Sequence, residues 1–422
     1  MNISNLGAAS LISNLPLGTR GLKLLLLCWM LVTGVQAAAV LNGIDVLKRD
    51  GFRQLRGMKV GLVTNHTGQD RERISTIDLL HAAEGVELVR LFSPEHGIRG
   101  ELDREKIPDF KDAGTGLPVF SLYGERRSPS AAQLEGLDAL VFDIQDIGCR
   151  FYTYISTMAN CMEQAGKSKV RFVVLDRVNP IGGAVEGPVL TEERSFVGVH
   201  EIPLRHGMTV GELAGMIHAE RKFGVDLTVV KCEGASPLQW FDRTGLPWRD
   251  PSPNMRGLNA ALLYPGVGLL EFCNLSVGRG TGSPFEILGA PYIDDVRLAA
   301  ELNRAGLVGV GFIPVRFTPD SSVFAKRECG GIRLVLTDRE AFRAADLGVT
   351  LATTLQRLYL KELELEKMIK LVGDRETLDA IAAGKSLDEV KAGWVPGLLA
   401  FEERKKPYLL YPRRVSSPRG SG

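Results

Sequence analysis

At 422 residues the chain exceeds one ordinary domain, which sets a prior of two or three domains, or one large α/β domain with an appendage. Its 45% hydrophobic and 24% charged residues fit a globular protein with ample core material. A net charge of +1 leaves no electrostatic footprint for nucleic acid, and that class of partner is set aside.

Arg20 and Lys23 precede the apolar run 24–35, and Gln36-Ala37-Ala38-Ala39 offers the small residues of a cleavage site, so residues 1–37 read as a secretory signal. The run is short for a bilayer span, and no other apolar stretch of about 20 residues follows it, so the mature chain is expected to be free of membrane. Removing the segment takes Cys28 with it and leaves five widely spaced cysteines without a CxxC. Neither a disulfide framework nor a zinc cluster is suggested.

Strand-like and helix-like patterns then alternate. Residues 59–64 form a strand-like run ending in Asn65-His66-Thr67-Gly68, and 74–83 carry helical spacing. The run 86–92 is stopped by Pro94, after which Glu95, His96 and Arg99 sit between glycines. Further short apolar runs cover 117–122, 139–142 (leading into Asp143-Ile-Gln-Asp146) and 170–175 (leading into Asp176 and Asn179), with a helix at 152–164. This alternation predicts a parallel, doubly wound sheet. Four polar clusters follow four strands, and in a parallel sheet all four ends share one edge. Asn65, His66, Glu95, His96, Asp143, Asp146, Asp176 and Asn179 can therefore converge.

Thr209 and Glu212 have capping-box spacing for a helix to about residue 222, with His206 in the loop before it. After a strand at 227–230, Trp240, Trp248, Pro251-Ser-Pro-Asn254 and Tyr264-Pro-Gly266 read as an irregular aromatic segment, the kind that offers sugars a stacking surface. The glycine-rich 274–282 lacks the Lys-Ser/Thr of a P-loop and the GxGxxG of a dinucleotide fold. It reads as a tight loop delivering Asn274, Arg279 and Glu286 to a ligand, arginine being suited to a carboxylate. From about residue 291 a smaller α/β domain is predicted: helix 294–304, strands 310–317 and 331–336, a long helix 347–370, and short closing helices at 373–383, 387–393 and 398–405.

With these residues in place the chain resembles a bacterial family, DUF1343, exemplified by exo-β-N-acetylmuramidases of the NamZ type. The resemblance rests on GLVTNHTG (61–68), FSPEHGIRG (92–100), TGLPVFSLYG (115–124), FDIQDIGCRFYTYISTM (142–158), VLDRVNPIGG (174–183), RHGMTVGEL (205–213), PSPNM (251–255), YPGVGLLE (264–271), NLSVGRGTGSPFE (274–286) and YLLYP (408–412). The chain departs from the family pattern at Val178 and Arg256, where the pattern has proline, and at Phe272-Cys273, where it has Gly-Thr. Phe272 adds bulk beside the Asn274–Arg279 loop.

The resemblance implies a Rossmann-like catalytic domain at 38–290, a C-terminal α/β domain at 291–422, and release of N-acetylmuramic acid from the non-reducing end of peptidoglycan fragments, without a cofactor. The substrates would be saccharides containing the MurNAc-GlcNAc unit, and the compartment the periplasm or the cell exterior. Glycoside hydrolysis needs a proton for the leaving oxygen and a group to stabilise an oxocarbenium-like centre. Glu95 is expected as the general acid, with Glu186, Asp143, Asp146 or Asp176 as the second participant, unless the sugar's own acetamide serves. Asn65, His96, Arg99, Arg150, Tyr154, Asp176, Asn179, His206, Asn274 and Arg279 are expected to bind substrate, Arg150, Arg279 and His206 by facing the lactyl carboxylate. Two other classes stay open: a metal-dependent hydrolase built on Asp143, Asp146, Asp176 and a histidine, and a secreted sugar-binding module without turnover.

Overall fold

The computed structural model describes residues 39–95, 97–98, 109–124 and 126–413. The expected signal segment 1–37 lies outside them. The strands are β1 (Lys59–Thr64), β2 (Glu87–Ser93), β3 (Phe110–Lys111), β4 (Pro118–Ser121), β5 (Ala139–Asp143), β6 (Arg171–Leu175), β7 (Glu186–Val189), β8 (Pro203–Arg205), β9 (Leu227–Val230), β10 (Ile287–Ala290), β11 (Val310–Phe317) and β12 (Cys329–Leu336). The helices are α1 (Gly43–Arg49), α2 (Thr76–His81), α3 (Ala131–Leu134), α4 (Tyr154–Lys167), α5 (Val210–Arg221), α6 (Leu258–Val267), α7 (Asp295–Arg304), α8 (Ala344–Leu358), α9 (Ile369–Val372), α10 (Arg375–Ala382) and α11 (Leu387–Lys405).

Seven strands form one sheet in the order β3-β4-β2-β1-β5-β6-β9, parallel except for the edge strand β3. Parallel strands covered on both faces read as unbroken apolar runs, as Ala139-Leu-Val-Phe142 does, and every residue of β5 is buried. Alternate side chains feed two cores. Leu62, Val141 and Val173 pack with Ile44 and Leu47 of α1 and with Ile77 and Leu80 of α2. Val63, Phe142 and Phe172 pack on the other face with Ile155 and Met158 of α4 and Leu213 of α5. The chain winds outward from β1 through β2 to β4, then returns to β5 and winds the other way. The switch of direction falls between β1 and β5, and a ligand crevice opens beyond the carboxyl ends of such strands. The architecture is Rossmann-like α/β, as expected.

The second sheet is antiparallel, β10-β12-β11, and a β7-β8 ribbon completes the strands. β10 lies before the boundary expected at 290/291 yet pairs with β12. The C-terminal layer shares the main core, which runs from Phe142 and Met158 to Leu347, Leu351, Leu355 and Phe401. The helix expected over 347–370 ends at Leu358. There the backbone of Tyr359 leaves helical geometry, and its hydroxyl accepts the Asp294 N–H at 3.1 Å, so the chain turns and buries Leu363 and Leu365. The two closing helices expected at 387–393 and 398–405 are one helix, α11, carrying Pro396 within it. Tyr264-Pro-Gly266, read as irregular, belongs to α6. Gly266 lets that helix touch α8 so closely that a Cβ there would lie 2.3 Å from the Ala344 carbonyl oxygen.

The last described residues return to the first sheet. The Tyr411 hydroxyl donates to Asp176 Oδ2 at 2.5 Å and accepts the Cys232 N–H at 2.8 Å, while the Leu410 N–H donates to Glu212 at 2.8 Å. Among the described residues no helix is long and apolar enough to cross a membrane.

Candidate active site

Pro94 ends β2 and Glu95 follows it, at the mouth of a cavity of about 430 Å³. The turn 151–154 enters the same space from the far end of β5. Thr153 is the N-cap of α4, but its hydroxyl leaves the helix uncapped and donates to Glu95 Oε2 at 2.5 Å. The neighbouring side chains make an aromatic wall. Tyr152 stands edge-on to Tyr154 (5.1 Å between centroids) and to Tyr264 (5.8 Å), and Tyr264 packs edge-on against Phe285 (4.6 Å) and tilted against Phe151 (5.1 Å). Burial pushes the phenols of Tyr152, Tyr154 and Tyr264 well above their ordinary value, so they present protonated hydroxyls. The Tyr154 hydroxyl donates to the Pro251 carbonyl at 2.5 Å. This pins the 251–253 loop so that Ser252 faces the cavity.

The rest of the lining comes from the segment after α6. Glu271 and Phe272 follow the one-turn helix Gly268–Leu270, and Arg279 comes from the glycine loop. Gly280 has φ +76°, and a Cβ on it would lie 2.5 Å from the Ser321 carbonyl oxygen, so this tight loop requires glycine beside Arg279. Arg279 Nε donates to Glu271 Oε1, and its guanidinium lies 5.2 Å from the Phe285 centroid. Arg127 also lines the cavity, 4.3 Å over the Phe196 ring.

Of the expected site residues, Glu95, Tyr154 and Arg279 line this cavity. His96 and Arg99 lie outside the described residues. The other expectations are corrected by their hydrogen bonds. Asp143, expected to be catalytic, is fully buried and grips Arg177 in two bonds (2.6 and 2.9 Å) while accepting Thr76 Oγ1 at 2.5 Å. Glu186, the other catalytic candidate, pairs with Arg205 at 2.6 Å and accepts the Ala345 N–H at 3.3 Å in the first turn of α8, where a carboxylate suits the helix dipole.

Asp176 accepts from Thr209 Oγ1, the Gly211 and Arg177 N–H groups and Tyr411. Burial pushes its pKa up to about 6. Arg150 is sealed in the core, its guanidinium shared among four backbone carbonyls. His206 is buried and accepts the Met208 N–H on Nδ1 at 3.2 Å, its pKa driven down to about 3. Asn65 closes a turn on Thr67, Asn179 ties to Met208 and Ile181, and Asn274, at φ +55°, ties to Glu362. The sheet edge thus collects polar side chains, but they hold the loops. Asp146, second candidate in its cluster, caps the Gly148 N–H at 2.7 Å, and burial pushes its pKa up to about 7. Among the described residues no cluster of three or more His, Cys, Asp or Glu could hold a metal ion.

Sequence reasoning missed Thr153, Tyr152, Glu271 and Arg127; Ser252 and Tyr264 come from the aromatic segment it read as a sugar-stacking surface, whose Trp240 and Trp248 do not line this cavity. For Glu271 a signal existed: it is the acid that ends the apolar run YPGVGLL.

The chain matches the models for the N-terminal (residues 60–259) and C-terminal (residues 262–411) parts of exo-β-N-acetylmuramidase NamZ. It belongs to the NamZ family. It is similar to the peptidoglycan β-N-acetylmuramidase NamZ of Bacillus subtilis (strain 168), with 42% identity over 378 residues that cover 88% of this chain and 91% of the relative. Two crystal structures of DUF1343 proteins from Bacteroides fragilis have the same fold: one with TM-score 0.81 and 36% identity, covering 89% of this chain and 99% of that one, the other with 0.74 and 32%, covering 89% and 100%. Within the NamZ family, then, this chain sets its glutamate after β2 against a threonine hydroxyl in an aromatic cavity.

Proposed function

We propose that this NamZ-family chain is a glycosidase that releases N-acetylmuramic acid from the non-reducing end of peptidoglycan fragments, with Glu95 as the general acid. The activity named for the B. subtilis relative supports the reaction. The observation that carries the role of Glu95 is its place: a carboxyl at the cavity mouth, oriented by the Thr153 hydroxyl and faced by an aromatic wall.

In this reading the C1–O bond lengthens as Glu95 passes its proton to the leaving oxygen, and the Thr153 bond keeps the carboxyl aimed at that atom. The rings of Tyr152, Tyr264 and Phe285 offer apolar faces and edges to the sugar. Arg127 and Arg279 are the cations the cavity offers to the lactyl carboxylate. The signal-like segment 1–37 supports action outside the cytoplasm, in the periplasm or beyond the cell.

The test is release of free N-acetylmuramic acid from MurNAc-GlcNAc by the purified mature protein, beside a Glu95→Gln variant whose fold is checked by circular dichroism. The expected result is release by the first and a loss of about 10²-fold or more in the second. Equal release by both would remove Glu95 from the chemistry. Binding without release by either would make the protein a sugar-binding module.

A further inference from the structure

We infer that Glu271 is the second carboxylate of the reaction, the base that faces Glu95 across the bound sugar. This inference rests on the glycosidase reading above. Among the described residues, the cavity is lined by two carboxylates, Glu95 and Glu271. The four acids that the sequence offers as second participant are engaged elsewhere: Asp143 by Arg177, Asp176 by Thr209 and Tyr411, Glu186 by Arg205, Asp146 by the Gly148 N–H.

The two cavity carboxylates come from different elements, Glu95 from the end of β2 and Glu271 from the segment after α6. The Glu95 charge acts on the Tyr152 and Tyr154 phenols and the Glu271 charge on the Tyr264 phenol, and the Tyr152 and Tyr264 rings lie 5.8 Å apart between centroids. Glu271 is built to stay in place. Arg279 Nε binds its Oε1, and Arg279 itself is set by a loop that only glycine can form and by the Phe285 ring. Oε2 has no hydrogen-bond partner among the described residues, and the side chain is 21% exposed, open to the cavity. One oxygen is therefore fixed by a cation and the other is open to a proton.

The step balances as follows. The C1–O bond to the leaving sugar breaks, its electron pair stays on that oxygen, and the oxygen takes the Glu95 proton. A new bond forms to C1 from an oxygen on the opposite face, and the proton that this nucleophile sheds goes to Glu271. The nucleophile is water, or the oxygen of the sugar's own acetamide, which sheds its N–H proton. Either way Glu95 ends as carboxylate and Glu271 as acid; in the acetamide route water then adds to C1 of the oxazoline, its proton going to Glu95 as the C1–O bond to the acetamide breaks and Glu271 returns its proton to the nitrogen.

The experiment compares wild type, Glu271→Gln, Glu271→Asp and Arg279→Lys on MurNAc-GlcNAc and on an aryl β-N-acetylmuraminide, recording kcat, KM and pH profiles. A base sets the acidic limb of the kcat/KM profile. The expected result for Glu271→Gln is a kcat lower by about 10²-fold or more on both substrates, KM within about threefold, and loss of the acidic limb. Glu271→Asp keeps the limb at reduced kcat, and Arg279→Lys does not reproduce the loss of the limb. The anomer first released, read by NMR, separates water from acetamide as nucleophile. Glu271→Gln with a defect confined to KM, or with both limbs intact, would overturn the inference and leave Glu271 as a support for Arg279. Should Glu271→Gln fail to fold, an acidic limb lost in Glu271→Asp would equally overturn it. Wild type that releases no N-acetylmuramic acid would instead sink the glycosidase reading itself.

Discussion

Replacing Arg150 by methionine sets the substrate-binding role expected from the sequence against the core fastening that the structure shows. Its guanidinium donates to the carbonyls of Pro188 (2.9 Å), Ile202 (3.1 Å), Leu371 (2.9 Å) and Val372 (2.6 Å), tying the β7-β8 ribbon to α9. The Ile202 carbonyl also accepts the Leu190 N–H, so the substitution leaves three carbonyls short of a partner, at about 1–3 kcal/mol each. Against this stands relief from burying a cation. Burial drives the Arg150 pKa down to about 10, which corresponds to roughly 3 kcal/mol of desolvation recovered. Methionine nearly fills the space, so taking each unpaired carbonyl at its mid-range cost of about 2 kcal/mol leaves a net loss of about 3 kcal/mol. With an unfolding entropy of about 2.1 cal/mol/K per residue over the roughly 375 residues from 39 to 413, the melting temperature falls by about 4 °C. The assay is a thermal melt paired with KM for MurNAc-GlcNAc measured well below the transition, where KM is expected to be unchanged. A variant with an unshifted melt and a KM raised tenfold would refute this reasoning and return Arg150 to the substrate.

Two further outcomes follow from buried Asp146 and from the cavity lining. Burial raises the Asp146 pKa from 3.8 to about 7, so the folded state prefers the protonated carboxyl: the preference is fully present below about pH 4 and is lost as pH rises through 7. Asp146→Asn lacks this penalty. Its melting temperature relative to wild type is therefore expected to climb by about 3 °C between pH 5 and 8, and a flat or falling difference in paired melts would contradict it. Neighbouring His206, its pKa driven down to about 3 by burial, is neutral throughout this window. Phe272 is 41% exposed and lines the cavity, with Lys370 Nζ 4.8 Å over its ring, and its ring is expected to stack the leaving sugar. Phe272→Gly should raise KM for MurNAc-GlcNAc about tenfold and leave KM for an aryl β-N-acetylmuraminide within about twofold; equal changes on both substrates would rule the stacking out.

The sheet was legible because parallel strands buried on both faces announce themselves as apolar runs; β1 falls where its run predicts it, and β5 and β6 within a residue. The capping box at Thr209 and Glu212 placed α5 equally well, through a local pattern that needs no tertiary context. Glu95 and Arg279 were legible as polar side chains in glycine-bearing loops, Tyr154 through the family resemblance. What convergence could not reveal is which side chains are spent on the loops. Asp143 and Asp176 follow neighbouring strands as expected, yet which carboxylate meets an arginine and which meets open space depends on partners dozens of residues away, Arg177 for Asp143 and Tyr411 for Asp176. The break at Tyr359 was hidden for a similar reason, since a Leu-, Glu- and Lys-rich stretch satisfies helix propensity whether or not Asp294 waits to bind its hydroxyl.

The return of Tyr411 to Asp176 makes the beginning and the end of synthesis interdependent. As the chain leaves the ribosome, every strand of the large sheet has emerged long before the phenol that satisfies the carboxylate at the end of β6. Until then Asp176 must be buried short of one partner or stay in water, and the edge near β9 waits unfastened. A message cut just before the Tyr411 codon would encode every described residue that lines the cavity and none of its latch. For the same reason the natural seam between the two family regions, near residue 260, is a poor place to divide the protein: the N-terminal piece would carry Glu95 but lack both Arg279 and the tyrosine that closes its sheet.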